Sequence, residues 1–191
     1  MAREPDRRVA LLRGINVGTA KRIAMADLRK LFEDLGYRDV RTLLNSGNVV
    51  FTVPSAGVID HEARLEKALA SRLGVASRVF IVTGPELAEM IRDNPLAAMA
   101  DNPSRLLLLV LRDRPSSALL AALLERRWAP EALAIRGRAA YLWCAKGIAD
   151  GALWLAINRA IGDAGTARNI ATMTKILAAV EADNVRKEGV R

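Results

Sequence analysis

The chain has 191 residues, with 29 Lys and Arg against 21 Asp and Glu, a formal net charge of +8 and a sequence pI near 10.4. A fold of this length buries roughly 70% of the surface its unfolded chain exposes and needs no covalent staples; with Cys144 the only cysteine, an internal disulfide is excluded. Hydrophobic residues make up 51% of the chain, but 33 residues are alanine, and the longest strongly apolar run is the six residues Leu106 to Leu111, against the about 20 that a membrane helix requires.

The apolar stretch before Arg13 is only four residues long, Val9 to Leu12, shorter than the about 7–15 of a signal peptide, so a cytoplasmic protein is expected. Of the basic residues 23 are Arg and 6 are Lys, and they alternate with acidic and apolar residues rather than forming blocks. Such a balance suits an anionic partner, and it is also what a GC-rich coding sequence produces.

In chain order, residues 8–12 predict a buried strand and Arg13 to Lys21 a glycine-containing loop. Leu28, Leu31, Phe32 and Leu35 recur at helical spacing, so a helix is expected over about 25–35, ended by Gly36. Val40 to Leu44 and Asn48 to Val53 form a hairpin around Asn45-Ser46-Gly47. Asp60 is placed to cap a helix carrying Leu65, Leu69 and Leu73, which Gly74 stops; Val79 to Val82 reads as a strand and Pro85 to Ile91 as a short helix. Asn94-Pro95 and Asn102-Pro103 bracket the expected boundary between halves.

The second half begins with the strand Leu106 to Leu111, followed by a helix carrying Leu119, Leu120, Leu123 and Leu124. A second hairpin is expected from Glu131 to Cys144 around Arg136-Gly137, then helices carrying Leu153, Trp154, Ile157 and Ile161, and Met173, Ile176, Leu177 and Val180. Each half therefore reads strand, helix, hairpin, helix, with a further strand in the first. The order predicts an α+β protein of two ferredoxin-like, split βαβ subdomains over 7–94 and 104–181, with loose termini at 1–6 and 182–191. That topology brings the loop leaving the first strand and the first hairpin turn to one end of the sheet.

Three motifs are candidates for chemistry. The loop from Arg13 to Arg22 carries Gly14, Asn16, Gly18 and Lys21, a composition suited to an anion because backbone N–H groups can approach it. It lacks the P-loop spacing, since Thr19 stands five residues after Gly14. The turn offers Asn45, Ser46 and Asn48 as neutral hydrogen-bonding groups, although tight hairpins favour the same residues. Before the last helix, Arg168 is spaced from Thr172 and Lys175 as if on one helical face, with Asn169 or Thr166 available either as caps or as ligand groups.

Other chemistries find little footing. His61, the only histidine, follows a capping Asp60 and reads as a surface residue of a first helical turn. One His and one Cys provide no metal-ligand spacing, and no cofactor is implied. Cys144 reads as a core thiol, and Glu33-Asp34 as solvated surface. Sheet-face RNA binding requires aromatics on the central strands, where Phe51 stands alone.

The segments LLRGINVG (11–18), MADLRKLFEDLGY (25–37), NSGNVVF (45–51) and TARNIATMTK (166–175) resemble the bacterial family known as domain of unknown function 1697. The resemblance implies a cytosolic protein of two similar α+β subdomains with no established activity. The family's usual Gln is replaced by Asn45, and its Trp and Asn after Arg-Asn by Ile170 and Ala171. From the residues, the leading expectation is a small phosphorylated or carboxylated ligand held where the three motifs meet, with Arg13 and Arg168 on the anion and no residue assignable as a base. A nucleic-acid module contacting phosphate backbone weakly and a protein-interaction or assembly module are the alternatives.

Overall fold

The computed structural model describes residues 6–16, 22–54, 60–149 and 151–188. Its contacts divide the chain into two compact units, Met1–Leu87 with Ile176–Arg191, and Ala88–Lys175. The first unit contains β1 (Arg7–Leu12), α1 (Met25–Asp34), β2 (Arg38–Leu43), β3 (Asn48–Thr52), α2 (His61–Leu73) and β4 (Val79–Thr83). Its sheet has the order β2-β3-β1-β4 with every neighbouring pair antiparallel. Because β1 and β2 both oppose β3, they run parallel to each other, as the ferredoxin-like pattern requires.

The helical stripe read from the sequence is the one that is buried. Leu28, Leu31 and Phe32 of α1 join Leu65 and Leu69 of α2 over Ala10, Leu12, Val49, Phe51, Val79 and Ile81 of the sheet. Asp60 caps α2 by accepting a hydrogen bond from the Ala63 N–H, and Gly74 at φ 66° closes the helix in the left-handed region. Glu33 and Asp34 lie on the outer face, where they pair with Arg29 and Lys30 one turn earlier.

His61 departs from the surface position expected of it. It is 6% exposed, and its Nδ1 lies 2.9 Å from the Tyr37 hydroxyl. The first turn of α2 rests against an aromatic cluster in which Phe51 meets Phe32 at 5.2 Å and Tyr37 at 4.9 Å, ring centre to ring centre. Burial, reinforced by the Arg8 and Arg64 guanidinium groups and opposed by Asp6 and Asp60, pushes the imidazole pKa down from 6.5. The folded state therefore binds fewer protons than the unfolded state below that value, so this contribution to stability is complete above about pH 6.5 and is lost as pH falls. Thermal unfolding of the protein and of His61→Gln between pH 7.5 and 5 should show a gap that narrows with acidification; a constant gap would mean that His61 acts by packing alone.

The second unit repeats the topology with β5 (Leu106–Leu111), β6 (Ala132–Arg136), β7 (Ala139–Trp143), α5 (Ala152–Ile161) and β8 (Gly165–Asn169), in the order β6-β7-β5-β8. The sequence reading missed β8. Gly, Ala and Asn have low strand propensity, and this strand owes its existence to pairing with β5, Leu109 opposite Ala167 and Leu108 opposite Arg168. The helix expected around Leu119 to Leu124 is a 3-10 helix, Pro115–Leu120, followed by the single α-turn α4, Ala121–Leu124. Leu120 is buried, whereas Leu119 and Leu124 are exposed. Two further elements, α3 (Gly84–Arg92) and a 3-10 turn at Ala97–Met99, precede β5, and α6 runs from Ile170 to Glu188, beyond the last apolar repeat and into the segment expected to be loose.

Leu107, Leu109 and Leu111 face α5 with Ala140, Leu142 and Cys144, and Trp128 and Trp154 pack at the rim of this core. The Cys144 thiol is fully buried, and burial raises its pKa to about 11. It is a packing residue rather than a nucleophile. Tyr141 donates its hydroxyl to the Met90 carbonyl at 2.8 Å, and burial moves its pKa to about 12.

Candidate functional site

At one end of the first unit's sheet, strand register brings the loop after β1 against the β2-β3 turn. Leu11 is opposite Asn48, and the Leu12 N–H donates to the Gly47 carbonyl at 2.9 Å. Asn16 then clasps both segments. Its amide nitrogen donates to the carbonyls of Ile23 (3.0 Å) and Asn45 (2.8 Å), and its oxygen accepts from the Ile23 N–H (2.8 Å). The bend requires Asn16 at φ 54°, a left-handed conformation that Asn tolerates better than most residues.

Beyond the clasp lies an open concavity of about 430 Å³, lined by Asn16, Arg22, Ile23, Ala24, Met25 and Asn45. It opens at the N-terminus of α1. Ala24 occupies the cap position and provides no side-chain hydrogen bond to the first turn, where backbone N–H groups carry a partial positive charge. Arg22 adds a full cation and Asn45 a neutral donor and acceptor. Asp27, the acidic residue of the first turn, is a local counterweight.

The residues singled out from the sequence fall into distinct roles. Arg13 and Gly14 belong to the same loop, but neither lines the concavity. The Arg13 backbone is stitched to the start of β4 by bonds to Arg78 and Ser77. Asn48 is fully buried, and its amide holds the turn through the Leu43 carbonyl and the Ser46 hydroxyl. Gly18 and Lys21 lie outside the described residues.

Arg168, expected on the face of a helix with Thr172 and Lys175, is instead on β8. Its guanidinium donates to the Thr166 hydroxyl at 3.0 Å and the Ala167 carbonyl at 2.8 Å. Asn169 caps α6 by accepting from the Thr172 N–H at 2.8 Å, while Lys175 is exposed in the second turn of that helix. These four belong to the second unit, whereas Asn16, Arg22 and Asn45 belong to the first.

Sequence reasoning set Arg22 aside in favour of Arg13 and overlooked the cap of α1. The signal was present as an Ala at position 24, where Ser, Thr, Asp or Asn ordinarily satisfies the first N–H groups.

The pattern of DUF1697, described as a protein of unknown function, matches residues 6–141. The chain belongs to the DUF1697 family. A conserved bacterial protein, SP0830 from Streptococcus pneumoniae, has a similar structure, with a TM-score of 0.72 at 22% identity over 92% of this chain and 98% of that one. The likeness establishes the shared α+β fold of two four-stranded sheets. No curated protein matches the chain. Among the described residues, no helix is long and apolar enough to cross a membrane, and no group of three or more His, Cys, Asp or Glu residues is arranged to hold a metal.

Proposed function

We propose that this DUF1697 protein binds a small phosphorylated or carboxylated molecule at the N-terminus of α1. The observation carrying this reading is that the uncapped first turn, the Arg22 side chain and Asn45 share one concavity. Backbone N–H groups at a helix start complement an oxyanion, and a guanidinium adds a charge-assisted bond of about 1.5–3 kcal/mol. Ile23, Ala24 and Met25 form apolar wall beside this polar end, so the ligand is an anionic group on a less polar body. We place the protein in the cytoplasm, where a lone thiol stays reduced. Among the described residues lining the concavity none is an evident base or nucleophile, and the activity proposed is binding.

Titration with inorganic phosphate, followed by amide NMR shifts, tests the site. The N–H signals of Met25, Ala26 and Asp27 should move together, and Arg22→Ala should weaken binding roughly tenfold or more. Asp27→Asn, which removes a like charge from the same turn, should strengthen it about two- to fivefold. Phosphate shifts scattered over the surface, insensitive to both substitutions, would defeat the proposal.

A further inference from the structure

The matching end of the second unit's sheet is built differently. The Leu111 N–H donates to the Arg138 carbonyl and the Arg112 N–H to the Ala164 carbonyl, both at 2.9 Å. The loop after β5, the β6-β7 turn and the loop before β8 therefore emerge side by side. Arg136 is opposite Ala139, which is opposite Val110, so Arg136 stands two strand spacings, about 10 Å, from β5. Arg159 occupies the last turn of α5, just before Gly162 and Asp163.

These segments gather Arg112, Arg114, Arg136, Arg138 and Arg159 against Asp113 and Asp163, five cations and two anions, a local charge of +3 within the chain's +8. Arg114, Arg136, Gly137 and Arg159 are exposed. Asp113 is committed to the start of the 3-10 helix, accepting from the backbone N–H and hydroxyl of Ser116. Its carboxyl pKa is held below the usual value chiefly by those bonds, with smaller contributions from Arg112 and Arg138. Residues 112–114, 136–138 and 162–164 include no aromatic side chain on which a base could stack.

We infer that this arginine rim is a surface for the phosphate backbone of nucleic acid, binding it without reading bases. A nucleic-acid strand presents one charge per ~3.4 Å, so a rim about 10 Å across meets about three phosphates, the number its net charge can neutralise. The exposed hairpin tip suits an extended polyanion better than an enclosed small ligand. Such binding is weak near physiological salt and strengthens steeply as salt falls. It concerns different residues from the α1 concavity and stands apart from that reading.

The test is fluorescence anisotropy with a labelled 20-base-pair DNA duplex, from 20 to 200 mM salt. The log-log salt slope should be about −2.7, that is −0.9 for each of three phosphates. Arg114→Ala with Arg136→Ala should bring it to about −0.9 and lower affinity on the order of 100-fold at 50 mM salt. Arg72→Ala with Arg127→Ala, exposed arginines elsewhere that remove the same total charge, should leave the slope unchanged. Equal losses from both double variants would overturn the inference in favour of diffuse charge. Absence of duplex binding at 20 mM salt would overturn it outright. Displacement of the duplex by pyrophosphate at an equal phosphate concentration would reassign the rim to small phosphates.

Discussion

Gly47→Ala should lower the melting temperature by about 5–15 °C, because the added methyl group has neither the backbone conformation nor the space it needs in the candidate site's framework. Gly47 sits at φ 74°, where a side chain costs roughly 1–2 kcal/mol. A Cβ there would also lie 2.6 Å from Ile15 Cδ1, 2.8 Å from Ile15 Cγ1 and 2.9 Å from Leu12 Cβ. Ile15 is 2% exposed and belongs to the helix-facing core, and Leu12 is a β1 residue bonded to Gly47 itself, so the turn has little room to yield. Overpacking of this kind costs about 1–3 kcal/mol more. Gly14→Ala is the comparison, because Gly14 has φ 65° but nothing within 4 Å of its added Cβ. Thermal denaturation should show only the smaller conformational penalty there. Equal losses at the two positions would mean that the turn does not press on the loop as the structure has it.

The contrast between these glycines also explains what was legible in the sequence. Leu28, Leu31 and Phe32 specify one buried helical face, and the unbroken apolar run Val49 to Phe51, buried throughout, marks β3, so local pattern reveals them and with them the first unit's topology. The loop and turn could be brought to one end of the sheet by topology alone, since β1 and β2 run parallel. What remained hidden depended on partners distant in the chain. β8 is a strand because Leu107 to Leu111 offer it a ladder, not because GTARN favours extension. Arg168 consequently left the helix on which spacing had placed it. His61 looked like an exposed first-turn residue until Tyr37, 24 residues earlier, was found at its ring nitrogen. The same limit moved the candidate site from Arg13 to Arg22. Both are loop arginines, and only the path of the chain decides which stands beside the uncapped helix.

Asn16→Asp should be more destabilising at neutral pH than Asn16→Gly, although it changes only one side-chain atom. The amide nitrogen faces two carbonyl oxygens, of Ile23 and Asn45, while the amide oxygen faces the Ile23 N–H; this pattern admits one orientation of the amide. Glycine accepts φ 54° at no cost and loses three hydrogen bonds, each contributing about 0.5–1.5 kcal/mol, for a total near 2–4 kcal/mol. Aspartate retains the acceptor but replaces the double donor with a second oxygen, 3.0 and 2.8 Å from two carbonyl oxygens if the geometry persists. That adds repulsion and strips both carbonyls of their donor. The charged carboxylate is then disfavoured in the folded state, which raises its folded pKa above the unfolded value near 4. Its deficit should consequently shrink as pH falls through that raised value, because protonation restores one donor. Urea unfolding at pH 7.5 and pH 4.5 distinguishes the two variants: the difference between Asp and Gly should narrow in acid. Phosphate affinity at the α1 concavity should drop for both, measured where each protein is still folded, since the loop carrying Arg22 is no longer tied to Asn45. An Asp variant as stable as the parent at pH 7.5 would mean that the amide is not donating to those carbonyls, and the clasp that shapes the concavity would have to be redrawn.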